Sequence, residues 1–318
     1  MNPIIIVLII ILVLVALAFG VGYGFFAYSI LRVEPKPQKM DNPNDPWTKI
    51  EPKLAEGRKY IESLPYDEWN IKSTDGLKLW GRFVPAYTQD GSVSKNVILM
   101  MHGYHSFNNN DFAVSFKYFH EAGYTVLLPN QRSHGKSEGK YITFGLKERE
   151  DCKLWAEELV SRLGSDVKIS LMGVSMGCAT VTMALGLDLP KQVKCCISDC
   201  GYTSPADEFR SILHGDYHLP DFPFMYTQKF YCKHLADFDI DGCSTLDVLK
   251  TNKRPVFFIH GGKDTFVPTY MGKKNYEACT APKELLIIDD AVHAQSFDIA
   301  PEKCWERVSA FLDKYLVG

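Results

Sequence analysis

The chain has 318 residues, 46% of them hydrophobic and 23% charged, and a formal net charge of −3 at pH 7. That length and apolar content support a sizeable core, in one large domain or two small ones. The 35 Lys and Arg are matched by 38 Asp and Glu, so there is no basic field and nucleic acid is excluded as a partner.

Every residue from Ile4 to Phe19 is apolar, and the uncharged stretch runs on to Leu31. At about 1.5 Å per residue this exceeds a hydrocarbon core of about 30 Å, so residues 1–31 are expected to form a transmembrane anchor that meets the bilayer through residues 4–31. A cleaved signal peptide is the rival, because Ala16-Leu17-Ala18 resembles a cleavage site. The leading Met-Asn-Pro lacks a basic start, however, and apolarity continues past that site. Arg32, Lys36 and Lys39 follow the helix and nothing basic precedes it. This bias favours a single-pass cell-membrane protein with its C-terminal domain on the cytoplasmic side, the extracellular side being the alternative.

Residues 32–68 read as a linker and a short amphipathic helix. Pro35, Pro37, Pro43 and Pro46 disfavour helix and suggest an extended spacer. Ile50, Leu54, Ile61 and Leu64 then recur at near-helical spacing, fitting a helix laid against the domain or the membrane surface. From Trp69 to Gly318 apolar strand-like runs alternate with helix-like segments, the pattern of a mostly parallel sheet with helices on both faces. Strands are expected at Leu77–Val84, Val97–Met101, Thr125–Leu128, Val167–Met172, Val193–Ile197, Val256–His260 and Leu285–Ile288, with helices near 110–122, 146–163, 176–187, 268–279 and 301–316. The interval of about 200–252, rich in Pro and aromatics, does not read as a regular helix and is taken for a lid over the strand ends.

The nine cysteines form an odd set lying mostly within apolar stretches, which leans towards a reducing compartment. Cys195, Cys196 and Cys200 are close enough to suggest metal ligands, but no zinc-type pair is present and a buried strand explains them better.

Gly173-Val-Ser-Met-Gly177 is a G-x-S-x-G directly after an apolar strand and before a helix-like run, the setting in which a sharp turn exposes a serine Oγ at the sheet edge. A serine hydroxyl needs a base, and the base needs a carboxylate to orient it. Asp264, in His260-Gly-Gly-Lys-Asp264, and His293, after Leu285–Ile288, follow Ser175 in the required order. Asp199 is the second choice of carboxylate, while Asp289 and Asp290 lie too close to His293 in sequence to face its ring. Backbone N–H groups of Tyr104, after Met100-Met-His-Gly103, and of Met176 are the expected oxyanion donors. His102 and His134 read as loop-shaping residues.

These motifs resemble the serine hydrolases of the α/β-hydrolase superfamily, in particular the serine aminopeptidase and cinnamoyl-esterase-like groups and bacterial members with an N-terminal hydrophobic helix. The resemblance covers about residues 69–316. It rests on HGY at 102–104, NQRSHGKSEG at 130–139, GVSMG at 173–177, SDCGYTSPADEF at 198–209, HLPDFPF at 218–224, HGGKDTFVP at 260–268 and VHAQS at 292–296. It implies the α/β-hydrolase fold, a Ser, Asp, His triad, and neither metal nor cofactor. Asn130 departs from the Asp that many relatives carry, which touches loop support more than chemistry.

The expected activity is cleavage of a carboxylic ester through an acyl-enzyme on Ser175, with a small-molecule ester or acyl substrate. A peptidase, thioesterase or acyltransferase using the same residues is the alternative, and an inactive binding module is a third. Phe209, Tyr217, Phe222 and Phe224, with Tyr226, are the lid aromatics expected to meet substrate. Asp207, Glu208 and Asp216 are the carboxylates that an aminopeptidase would need for the substrate ammonium. Oligomeric state is not readable from the sequence.

Overall fold

The first helix, α1 (Pro3–Ile30), is long and apolar enough to cross a bilayer, and its most apolar window is fully exposed. Its character changes along its length. Gly22, Phe26 and Ile30 are buried, and the chain then hydrogen-bonds into the rest of the molecule, Arg32 N to Lys140 O and Ile142 N to Ile30 O, both at 2.8 Å. The computed structural model describes residues 2–33, 42, 45–107 and 109–318. Of the expected spacer, Pro35, Pro37 and Pro43, with Lys36 and Lys39, lie outside the described residues. Arg32 is described, and its guanidinium donates to the carbonyls of Ser137 and Gly135.

Pro46 starts a helix rather than extending the spacer. It opens α2 (Pro46–Ser63), where a missing N–H costs nothing, and Asp45 caps the turn by accepting from Trp47 N. Ile50, Leu54 and Ile61 are buried, so the apolar face of α2 packs on the domain.

An eight-stranded sheet follows, in the order β1-β2-β4-β3-β5-β6-β7-β8. Its strands are β1 (Asp67–Lys72), β2 (Lys78–Val84), β3 (Asn96–Met101), β4 (Thr125–Pro129), β5 (Lys168–Val174), β6 (Val193–Asp199), β7 (Val256–Gly261) and β8 (Lys283–Ile288). The pairs β1/β2 and β2/β4 are antiparallel, and β4 through β8 run parallel. Seven of these strands match the sequence expectation. The missed one, β1, carries only Trp69 and Ile71 as an apolar face, and it is an edge strand with one side to solvent.

Alternation along β3 divides the core. Val97, Leu99 and Met101 face one cluster with Trp155, Leu159 and Val181, whereas Ile98 and Met100 face another with Phe116, Phe119 and Phe311. The flanking helices are α3 (Ser115–Glu121), α4 (Glu148–Leu163), α5 (Met176–Ala184), α9 (Thr269–Ala278), α10 (Ser296–Ile299) and α11 (Pro301–Leu312), the last continuing into a π-helical segment, Asp313–Val317.

The lid is helical, contrary to expectation: α6 (Pro205–Gly215), α7 (Asp221–Leu235) and α8 (Thr245–Thr251). The start of α6 was legible in Ser204-Pro-Ala-Asp207, where Ser204 Oγ accepts from Asp207 N at 3.0 Å and Pro205 occupies the first turn. In α7 the 3.6 period was hidden because aromatics lie on several faces. Met225, Gln228 and Cys232 turn inward, and Phe222, Tyr226 and Phe230 turn out. A third apolar cluster joins Phe26 and Ile30 of α1 to Met225 and Cys232 of α7 and to Met176 at the start of α5.

Candidate active site

Ser175 sits between the end of β5 and the start of α5, at φ 56° and ψ −119°. A left-handed backbone at a non-glycine residue is strained, and packing on both sides enforces it here. A Cβ on Gly173 would lie 2.2 Å from Gly177 O, and one on Gly177 would lie 1.9 Å from Met101 O. Only hydrogen fits at either flank. The Ser175 amide is fixed by donating to Asp199 O at 2.9 Å.

The loops after β7 and β8 bring the other two residues to it. His293 Nε2 lies 2.8 Å from Ser175 Oγ, and His293 Nδ1 lies 2.8 Å from Asp264 Oδ2. Asp264 Oδ1 accepts the amides of Phe266 and Val267, each at 3.0 Å. Burial works to raise the Asp264 carboxyl, but hydrogen bonds from His260 and His293 outweigh it and hold the group below its usual range. The His260 contact, Nε2 to Asp264 Oδ2 at 3.2 Å, is an addition to the sequence reading, in which His260 figures only as part of the motif carrying Asp264. His260 Nε2 also lies 2.9 Å from Val267 O, so this ring ties both ends of the Asp264 loop together.

Asp199, the second choice, faces Ser296 Oγ at 3.4 Å, and the His293 Nδ1 bond goes to Asp264. Asp290 pairs with Lys263 at the surface. Cys200 Sγ lies within 4.8 Å of ligand atoms of Asp264 and His293. Burial pushes its thiol well up, and both His293 nitrogens are engaged in hydrogen bonds, to Asp264 and to Ser175, so the imidazole is not free to ligate a metal beside that thiol.

Beneath the relay, burial raises Asp199 to about 6 and Asp298 to about 7, the latter also through the nearby Asp199 and Asp111 charges. A carboxyl raised above its unfolded value binds its proton more tightly in the folded chain. The stability it contributes is full below about pH 4 and is lost as pH rises to about 7. Asp298→Asn is therefore expected to raise the unfolding midpoint at pH 8 and to leave it unchanged at pH 4, as read by thermal melts. An equal shift at both pH values would refute the assignment.

The loop after β3 is held from several sides. His102 Nδ1 lies 2.7 Å from Gly103 O, and its Nε2 accepts from Gln131 N at 3.0 Å. Asp111 accepts from Gly103 N at 2.6 Å and from Ser106 Oγ. His134 Nδ1 meets Arg132 O, and its Nε2 accepts from His105 N at 3.1 Å. His102 and His134 are thus loop-shaping, as expected, and Asp111 is an addition. The Tyr104 amide, between these anchored neighbours, donates to no acceptor among the described residues, and the Met176 amide is in the first turn of α5, where helix N–H groups lack intrahelical partners. Asn130 supports the next loop: its carbonyl accepts from Ser137 Oγ at 2.6 Å.

Ser175 borders two cavities. One, of about 250 Å³, is lined mainly by apolar side chains of the lid, with Phe209, Tyr217 and Phe224 among them, together with Tyr104 and Met176. The other, of about 570 Å³, lies on the His293 side and carries Glu51, Arg58, Asn110 and Asp111. Phe222 does not line either: it is 72% exposed and packs edge-on to Tyr226 on the outer face of α7. Phe222 sits at a non-helical kink near the start of α7 (φ −91°, ψ 129°) and Tyr226 on the helix's outer face, which corrects the expectation for both. Among the carboxylates, Asp207 is taken up by Thr203 and Arg210, whereas Glu208 and Asp216 line the apolar cavity. Glu208 is 2% exposed, neither of its oxygens has a hydrogen-bond partner among the described residues, and burial pushes it well above the carboxylate range.

A family model described as the alpha/beta hydrolase fold matches residues 96–231. An esterase of Pyrococcus furiosus superposes with a TM-score of 0.64 at 26% identity, over 81% of this chain and 95% of that one. The fold is the α/β-hydrolase fold. Among curated proteins, the uncharacterised YqkD of Bacillus subtilis is 26% identical over 80% of this chain and 81% of its own, and the uncharacterised YfhR of Escherichia coli is 24% identical over 73% and 76%. In this α/β-hydrolase fold the turn carrying Ser175 lies between β5 and α5, and the loops carrying Asp264 and His293 follow β7 and β8, all at the carboxyl ends of parallel strands.

Proposed function

We propose that this chain is a membrane-anchored serine hydrolase that cleaves carboxylic esters through an acyl-enzyme on Ser175, with α1 crossing the bilayer. The observation that carries the reading is the continuous relay Ser175 Oγ, His293, Asp264, with both contacts at 2.8 Å, placed where an apolar cavity meets a polar one. Ser175 attacks the ester carbonyl while His293 Nε2 takes its proton, and Asp264 holds the imidazole in the required tautomer and stabilises its cation. The Tyr104 and Met176 amides receive the developing oxyanion. His293 then protonates the departing alcohol, and a water activated by the same ring releases the acid. The acyl group lies in the apolar cavity and the alcohol in the polar one. The likeness to the Pyrococcus furiosus esterase supports ester over other acyl derivatives.

An aminopeptidase reading draws on Glu208, which lines the cavity without a partner. Burial favours the neutral form of that carboxyl, so pairing with an ammonium in an apolar wall works against desolvation, and this favours the ester. Fluorophosphonate labelling of the full chain, mapped to its peptide, is expected to fall on Ser175, and p-nitrophenyl esters are expected to turn over faster than aminoacyl-anilides. Faster anilide turnover would replace the esterase with a peptidase, and folded protein that takes no label would point to an inactive module.

A further inference from the structure

The apolar cavity is not closed by the hydrolase domain alone. Phe25, Tyr28 and Ser29 of α1 form part of its wall, more than 140 residues upstream of Ser175, which lines the same space. Phe25 meets the lid edge-on, 5.3 Å from Tyr217 and 5.5 Å from Phe224 between ring centroids. Ser29 Oγ accepts from Gln228 Nε2 at 3.0 Å, and Tyr231 Oη donates to Phe19 O at 3.0 Å. At Gly22 the two helices touch: a Cβ there would lie 2.2 Å from Thr227 Oγ1. The second half of α1 is therefore built into the lid.

The depth of that wall follows from helix geometry. A hydrocarbon core of about 30 Å takes about 20 residues of helix, so a span starting at Pro3 ends near Gly22. Residues 4–15 are all exposed, and the first buried residue of α1 is Gly22 itself. Phe25 stands three residues further on, which is about 5 Å of rise. Exposed aromatics gather at this level: Phe19 and Tyr23 on α1, and Phe230 against Phe19 on α7. Such rings favour the boundary between hydrocarbon and headgroups.

We infer that α1 is a wall of the substrate site, and that the ester cleaved is carried by a lipid in the bilayer whose acyl chain reaches Ser175 between α1 and the lid. This rests on the serine-esterase reading above and names its substrate class. An acyl chain drawn from the bilayer into the apolar cavity passes from one apolar surface to another, so it avoids the cost of exposing its methylenes to water. A soluble ester gains nothing from that route.

The test uses the full chain in phosphatidylcholine vesicles, with two probes: p-nitrophenyl acetate in the water and umbelliferyl palmitate in the bilayer. Phe25→Trp adds bulk to the shared wall, and a misfit of this size in a pocket is expected to lower kcat/KM on the palmitate roughly tenfold or more beyond any loss on the acetate. Leu12→Trp, on the exposed part of α1, is expected to change neither. Equal effects of Phe25→Trp on both probes, or none on either, with fluorophosphonate labelling intact, would overturn the inference while leaving the esterase standing. A parent chain that turns over neither probe and takes no label would bring down the esterase reading itself.

Discussion

Ser175→Ala is expected to lower kcat for ester turnover by about 10⁶-fold and Asp264→Asn by about 10⁴-fold, with the melting temperature nearly unchanged in both. The first removes the atom that forms the acyl bond. The second acts through hydrogen-bond direction. Oδ1 of Asp264 accepts two amides, from Phe266 and Val267, so an asparagine would keep its carbonyl there and turn its NH2 towards His293. Facing a donor, His293 Nδ1 must give up its proton and accept, which moves the ring proton to Nε2, where it points at Ser175 instead of taking the serine proton. The pH profile discriminates this from simple loss of charge, because a wrong tautomer is relieved at high pH only by an external base. Steady-state kinetics on a soluble ester, with thermal melts of each variant, provide the check. If Asp264→Asn kept more than about a tenth of the activity and Asp199→Asn abolished it, Asp199 would be the orienting carboxylate and Asp264 a loop fastener.

The parts of this arrangement that were legible are those whose cause is local. Gly173 and Gly177 announce the turn because nothing larger fits beside Gly177 O and Met101 O, and the apolar run of β5 before them shows where the sheet ends. The central strands were legible because both of their faces are buried, which leaves unbroken apolar runs. What was not legible depends on partners far along the chain. Residues 1–31 were read as an anchor alone, and the contact that makes their end a cavity wall, Ser29 with Gln228, spans 199 positions. Phe222 and Phe224 look alike in sequence, but a non-helical kink at Phe222 (φ −91°, ψ 129°) leaves that ring in solvent while Phe224 lines the cavity. Glu208 was only one of three neighbouring acids until the cap at Ser204 fixed the phase of α6 and turned it inward.

Arg132 and Asp151 give the largest expected effect on stability. Arg132 Nε and Nη2 donate to the two oxygens of Asp151 at 2.7 and 2.8 Å, Nη1 donates to Asp75 at 2.8 Å, and the Arg132 and Asp151 side chains are 3% and 1% exposed. Removing Arg132 leaves the Asp151 carboxylate buried without its partner, so Arg132→Ala is expected to cost about 3–5 kcal/mol, a fall of roughly 10 °C in melting temperature, and Asp151→Ala is expected to cost less because Arg132 keeps Asp75. Replacing both with apolar residues, as in Arg132→Met with Asp151→Leu, removes that penalty and is expected to recover most of the lost stability. The rate should not recover with it. Arg132 O receives His134 Nδ1, His134 Nε2 receives the His105 amide, and the preceding Gln131 amide holds His102, so the guanidinium clamps the strand of chain that fixes both sides of the Tyr104 turn. With the clamp gone the Tyr104 donor is placed less precisely, and loss of one oxyanion donor is worth about 10²–10³-fold in kcat at most. A double variant that melts like the parent yet turns over esters at least about tenfold more slowly fits a positioning role, with KM nearly constant because the loss falls on the transition state. One that recovers both stability and rate would mean that the pair only holds α4 to the sheet, and that the Tyr104 loop is set by Asp111 and His102 without it.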